Sequence, residues 1–239
     1  MPYSIVHIEL GVSLKDYFNN ENDFLDFLAG SIFVDSSYEL NNQGVQIKRE
    51  DTHYHKGEDY INSEFPDNFL KKELKTNFSN FKLGYYYHLI LDKLWRDSSF
   101  VGEAYKNNDL DEIYQLSRIF HANIDLNDFI KVDNNNYIDK LYKYKINKNS
   151  LPSVFLNIDT NILNDTYMSI IDYMVNKKTF KKVSNEDEVY TIINGELEFL
   201  DKEIEKKVNT LFPYKDYNDL KKQGLKILLT NIQNFKKIS

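Results

Sequence analysis

The sequence predicts an all-α protein, and three observations support that class. Apolar residues recur at helical spacing in several segments, which is the pattern of amphipathic helices. The most apolar segment, Phe81 to Trp95, has a length that favours a buried helix over a strand. Only four prolines and eight glycines interrupt the 239 residues, so few positions break helical structure.

In the first half, polar cap residues mark helix starts and glycine marks one helix end. Ser4 can cap the first helix, because a serine oxygen accepts hydrogen bonds from the first free amides. Gly30 is expected to end the second helix, and Ser31 to Asp35 is expected to form a tight apolar loop. Residues 36–60 are polar and weakly periodic, which predicts a long loop. The predicted helices run from Ser4 to about Phe18, from Asn22 or Asp23 to Gly30, and over 67–77, 81–95, 103–107 and 111–121.

The best boundary between two halves is Leu151-Pro152. Residues 1–150, which contain all five histidines, are predicted to form the core, and 151–239 a C-terminal helical extension packed on the same domain. Residues 189–193 fit a short strand and a helix turn about equally well. Helical periodicity otherwise covers 162–175, 195–211 and 217–235.

Composition excludes several classes of protein. The chain has no cysteine, so it has no disulfide scaffold, thiol nucleophile or cysteine zinc finger. Its apolar runs are shorter than the ~20 residues of a membrane helix. The N-terminal residues lack the basic start and apolar core of a signal peptide, which predicts a cytoplasmic protein. The formal charge of −7, from 30 basic and 37 acidic residues, argues against stable nucleic-acid binding.

The strongest chemical signal is His88-Leu-Ile-Leu-Asp92 within the most apolar segment. Residues four apart lie on one face of a helix, so both side chains can reach one metal ion. Burying an unpaired charge is costly, and a cation would compensate the aspartate. The alternative is a hydrogen bond between His88 and Asp92 in the core. Gly84, one turn earlier on the same face, predicts close approach by another segment.

Four other polar residues stand in unexpected places. His7 lies in an apolar run, Asp35 ends an apolar loop, and His53 and His55 flank Tyr54. In an extended segment His53 and His55 would point the same way, so either or both can bind a metal. The combined nitrogen and oxygen donors suit zinc, and manganese and iron also fit.

Four segments in this order resemble the zinc-dependent phospholipase C family, which is related to the S1/P1 nucleases, and especially its compact bacterial members without a secretion signal. The resemblance covers residues 4–96 well and the remainder weakly. It implies an all-helical bundle with additional C-terminal helices, a cluster of up to three zinc ions and hydrolysis of phosphate esters. The segments are Ile5-Val6-His7, Leu28 to Asp35, Thr52-His53-Tyr54 and Leu83 to Trp95.

The resemblance also assigns roles to individual residues. It implies that one zinc ion is held by Asp35, His53, His88 and Asp92. His7 would join Asp92, the bridging carboxylate, at a second zinc ion. Asp35 is also the candidate to orient or deprotonate the attacking water.

A third site is less complete in this sequence. His121 and Asp125 have the form of the family's later ligand pair, although His121 equally fits a helix-end histidine that complements the helix dipole. The histidine expected after the bridging aspartate is missing. Asp97 is a candidate to replace it, and the alternative is that the site is lost. Arg96 is either a phosphate-binding group or a surface cation.

The sequence therefore predicts a zinc-dependent phosphoesterase with one or two metal ions. Its expected partner is a phosphate-containing small molecule or a lipid head group. The alternative is a non-catalytic helical protein that keeps a structural or vestigial metal and acts as an interaction module.

Overall fold

The structure, a computed structural model, describes residues 4–55, 65–107, 109, 112–113, 116–117, 119–120, 136–176, 190–193, 196–199 and 202–236. These residues are helical apart from connecting turns and one two-stranded hairpin, which confirms the all-α class. No described helix is both long and apolar enough to span a membrane. The helices are α1 (Ser4–Val12), α2 (Glu21–Phe33), α3 (Ser37–Asn42), α4 (Arg49–Thr52), α5 (Phe65–Phe69), α6 (Asn80–Asp97), α7 (Ser99–Asn107), α8 (Tyr137–Lys143), α9 (Thr160–Asn176), α10 (Lys202–Leu211) and α11 (Tyr214–Lys236).

Helices α2 and α6 pack extensively against each other at the centre of the fold. A Cβ atom on Gly84 would lie 1.8 Å from the Phe27 carbonyl oxygen, and one on Gly30 would lie 1.9 Å from the Phe81 carbonyl oxygen. The close approach predicted at Gly84 is confirmed. The expected helix end at Gly30 is wrong, because α2 continues to Phe33. Gly30 instead allows the backbones of α2 and α6 to lie close together.

The expected apolar loop and the long loop over 36–60 are both wrong where the structure describes them. A 3-10 turn, Val34–Ser36, continues α2 directly into α3, and α4 follows a short connection. The Asn41 side chain organises that connection by donating to the carbonyls of Ser37 and Ile47 and by accepting from the Ile47 amide. Local polar contacts therefore order a segment that has little apolar periodicity.

Residues beyond the proposed boundary pack on the first half of the chain. Phe155 lies edge-on to Phe33 in the core. Ser153 donates its amide to Glu73, a buried residue in the π-helical turn Leu70–Leu74 that follows α5. In α11, Gly224 lies directly against Leu91 of α6. The centre of the fold is thus covered by residues from both halves.

The hairpin pairs β1 (Tyr190–Ile193) antiparallel to β2 (Glu196–Phe199). The strand alternative for 190–193 is confirmed, whereas the predicted helix over 195–211 begins only at Lys202. The Asn-Gly dipeptide that separates the two strands in the sequence is typical of two-residue hairpins.

Candidate metal centre

Five predicted ligands, separated by up to 85 positions in the sequence, converge beside the α2–α6 crossing. His7 comes from α1, Asp35 from the turn after α2, His53 from the end of α4, and His88 and Asp92 from α6. Their donor atoms form two overlapping groups within 4.8 Å, His7 with His88 and Asp92, and Asp35 with His53 and His88. The convergence predicted from the sequence is therefore present in the fold.

Four imidazole–carboxylate separations among Asp35, His53, His88 and Asp92 are close to those between ligands of one metal ion. His53 Nε2 lies 3.4 Å from Asp35 Oδ1 and 3.6 Å from Asp92 Oδ2. His88 Nε2 lies 3.8 Å from Asp35 Oδ2 and 3.5 Å from Asp92 Oδ2. Most of these separations exceed hydrogen-bond length. Ligands about 2.0–2.2 Å from a tetrahedral zinc ion stand about 3.3–3.5 Å apart, close to the separations here.

Backbone carbonyls orient both imidazole rings of this group. His88 Nδ1 lies 2.7 Å from the Ser31 carbonyl oxygen, and His53 Nδ1 lies 3.1 Å from the Arg49 carbonyl oxygen. Because a carbonyl only accepts, each Nδ1 carries hydrogen when it makes this bond, and Nε2 faces the carboxylates. A metal-binding histidine usually donates its second ring N–H in this way. Close packing at Gly84 brings the Ser31 carbonyl within reach.

The centre is deeply buried but open at one residue. The side chains of His53, His88 and Asp92 are inaccessible, whereas that of Asp35 is 34% exposed. Among the described residues, His88 Nε2 and both Asp92 oxygens have no hydrogen-bond partner. Such buried polar atoms are costly, so a cation between them would stabilise the site. Asp35 marks the side from which solvent reaches it.

The carboxylates shift the pKa of His88, and the neighbouring imidazoles shift the pKa of the carboxylates. Burial on its own would lower the pKa of His88, but Asp92 and Asp35 raise it above its ordinary value. Burial would likewise raise the pKa of Asp92 and Asp35, yet His88 and His53 hold both below the ordinary value. The aspartates therefore remain ionised, which is the form that binds metal.

His7 joins the centre through the group that contains His88 and Asp92. Its ring stacks on that of His88, with centroids 3.8 Å apart and planes 9° apart, and lies edge-on to Tyr87. His7 groups with Asp92, as the sequence predicts for a second metal position. His88 belongs to both groups, but its Nδ1 is occupied, so a carboxylate is the better bridge. The bridging role of Asp92 remains a prediction.

His55 lies in neither group of donor atoms. Its ring centroid is 6.3 Å from that of His53. His53 and His55 do not lie in an extended segment, because α4 runs to Thr52 and Tyr54 adopts a left-handed φ of 56°. His53 and His55 therefore do not alternate as residues of a strand would.

The remaining candidates lie apart from the five ligands or outside the described residues. Arg96 donates from Nε to Asp97 at 2.7 Å, and its guanidinium lies 5.1 Å from the centroid of the Phe65 ring. Asp97 also accepts from Lys93, so two cations already neutralise it. His121 and Asp125 lie outside the described residues.

Arg49 is the residue at this centre that sequence reasoning missed. Its Nη2 atom lies 3.4 Å from His53 Nε2 and 3.8 Å from Asp35 Oδ1. Arg49 and His53 are four positions apart, so a helix prediction over this segment would have placed them together. Apolar periodicity over 36–60 is weak, so the sequence predicts a loop where the structure has this helix.

Comparison of the chain with protein-family models, curated proteins and solved structures found no match. The function is therefore argued from the site itself.

Proposed function

We propose that the protein is a metal-dependent hydrolase of phosphate esters, with zinc as the best-suited ion. The main support is the four imidazole–carboxylate separations of 3.4–3.8 Å among Asp35, His53, His88 and Asp92. Two imidazole nitrogens and two carboxylates fit zinc, and manganese and iron accept the same donors. The similarity to the zinc-dependent phospholipase C family, proposed from the sequence, leads to the same chemistry.

The residues divide into those that would hold the metal and the one that would act on the attacking water. A divalent metal bound here supplies an activated water near neutral pH and neutralises charge on the phosphate oxygens. The buried His53, His88 and Asp92 hold the centre and exclude water from its inner side. Asp35 is partly exposed to solvent, so its carboxylate is placed to orient the attacking water. His7 supports the inner side next to Asp92.

A non-catalytic protein with a structural metal is the second candidate, and burial favours it. His7, His53, His88 and Asp92 have no accessible surface, and structural zinc sites are typically closed by protein ligands. The exposed Asp35 distinguishes the two candidates, because a catalytic site needs one position open to substrate.

The deciding experiment loads the chelator-treated protein with zinc or manganese and offers a generic phosphomonoester and a generic phosphodiester. We expect hydrolysis only after metal loading. Asp35→Asn should lower the rate at least about 100-fold while zinc remains bound through His53, His88 and Asp92. Asp219→Asn, at an exposed aspartate of α11 paired with Lys222, is the matched control and should behave like the native protein.

Two results would count against the proposal. A zinc-loaded protein without activity on either substrate would favour the structural-metal candidate. Native activity in Asp35→Asn would show that Asp35 does not act on the attacking water.

A further inference from the structure

Within the described part of the chain, the solvent-exposed charges at the metal centre belong to Asp35 and Arg49. Their side chains are 34% and 51% exposed. The imidazoles and Asp92 are inaccessible. An incoming group therefore meets the Asp35 carboxylate and the Arg49 guanidinium before it reaches the inner ligands.

The backbone of Arg49 is part of the structure that holds the centre. Its carbonyl oxygen accepts from the His53 amide at 2.9 Å and from Thr52 Oγ1 at 3.0 Å. It also lies 3.1 Å from His53 Nδ1. In addition, Tyr85 of α6 donates its hydroxyl to the Thr52 carbonyl. These bonds fix the Arg49 backbone beside the ligands, and its half-exposed side chain lies next to Asp35 and His53.

The Arg49 guanidinium lies beside two of the proposed metal ligands, Asp35 and His53. Arg49 Nη2 lies 3.4 Å from His53 Nε2, and arginine stays protonated under all ordinary conditions. A divalent metal bound by His53 and Asp35 would repel this cation. An anion lying between the metal and the guanidinium would turn that repulsion into two attractions.

We propose that Arg49 is the phosphate-binding side chain of this site and that the substrate is a phosphomonoester. The inference rests on the proposed function and specifies its substrate. A terminal phosphate has three free oxygens, so one can face the metal while two accept from the planar guanidinium fork. A phosphodiester has only two free oxygens and would leave the fork with a single acceptor.

The first test measures binding of inorganic phosphate to the zinc-loaded full-length protein by calorimetry. Arg49→Gln should weaken phosphate binding about tenfold or more, because it removes a charge-assisted bidentate contact. Arg49→Lys keeps the charge but lacks the planar guanidinium. Its affinity for phosphate should lie between those of Arg49→Gln and the native protein. Lys48→Gln removes the neighbouring exposed cation and should bind phosphate as the native protein does.

The second test compares kcat/KM for a phosphomonoester and a phosphodiester with the same leaving group. Arg49→Gln should reduce the value for the monoester about tenfold more than that for the diester. Equal losses on both substrates would overturn the monoester assignment.

Three further results would overturn the role of Arg49, and metal content separates them. Unchanged phosphate affinity in Arg49→Gln, with zinc bound and hydrolysis present in the native protein, would reject this inference alone. Loss of zinc from Arg49→Gln would assign the side chain to the metal centre instead. A native protein that binds no zinc would reject the proposed function together with this inference.

Discussion

Asp92 is a carboxylate enclosed by protein, with an imidazole on either side of one of its oxygens. Oδ2 lies 3.6 Å from His53 Nε2 and 3.5 Å from His88 Nε2. Neither oxygen accepts a hydrogen bond from any described residue. A buried ion without such partners destabilises the fold unless a counter-charge lies beside it. Asp92 and Asp35 raise the pKa of His88, so a protonated His88 would supply part of that charge, and a divalent metal would supply more.

Replacement of Asp92 is the sharpest residue-scale test of this arrangement. Asp92→Asn removes the charge of the predicted bridging carboxylate while keeping the size of the side chain. We expect it to abolish hydrolysis and most zinc binding, measured as metal content after dialysis. Asp219→Asn should keep the native metal content. Full metal content in Asp92→Asn would mean that Asp92 is not a shared ligand.

At the scale of helices, the α2–α6 crossing connects packing to metal binding. The crossing is close because Gly30 and Gly84 carry no Cβ. The close contact places the Ser31 carbonyl 2.7 Å from His88 Nδ1. A change that separates these helices should therefore weaken both the fold and the centre.

Gly84→Ala tests this connection directly. The new methyl carbon would lie 1.8 Å from the Phe27 carbonyl oxygen, so the helices must move apart. We expect a loss of about 3 kcal/mol or more in the free energy of unfolding, measured by denaturant titration, together with weaker zinc binding.

The matched control is Gly102→Ala in α7. A Cβ there meets no atom within 4 Å, so this change should leave stability the same or raise it by up to about 1 kcal/mol. Equal stability of the two variants would show that the helices do not cross as closely as described.

The sequence predicts an element well when the information lies within that element. His88 and Asp92 share one helix, so their i to i+4 spacing was enough to place them together. Gly30 is different, because the backbone that leaves no room for a Cβ atom there belongs to Phe81, 51 positions away in the sequence. Arg49 was missed since α4 is only four residues long and has no apolar stripe. Contacts made by distant or polar residues leave little periodic signal in the chain.

At the scale of the whole molecule, the centre depends on the complete fold. Its ligands come from four separate elements between positions 7 and 92, and α11 supports two of those elements. Lys221 of α11 lies 2.6 Å from Glu9 of α1, and Gly224 lies against Leu91 of α6. The extension predicted to pack on the core therefore contacts the helices that carry His7, His88 and Asp92. An unfolded chain would keep the same residues apart.

Metal removal should consequently lower the stability of the entire protein. A ligand that binds only the folded state at 100 times its Kd stabilises that state by about 2.7 kcal/mol. For a chain of this size we expect zinc to raise Tm by about 5 °C or more over the chelator-treated protein, measured by calorimetry. Asp92→Asn should abolish the increase, since its centre has lost the predicted bridging ligand, and Asp219→Asn should keep it. If zinc leaves the native Tm unchanged, the five converging side chains do not form a metal centre, and their contacts must be explained as packing within the core.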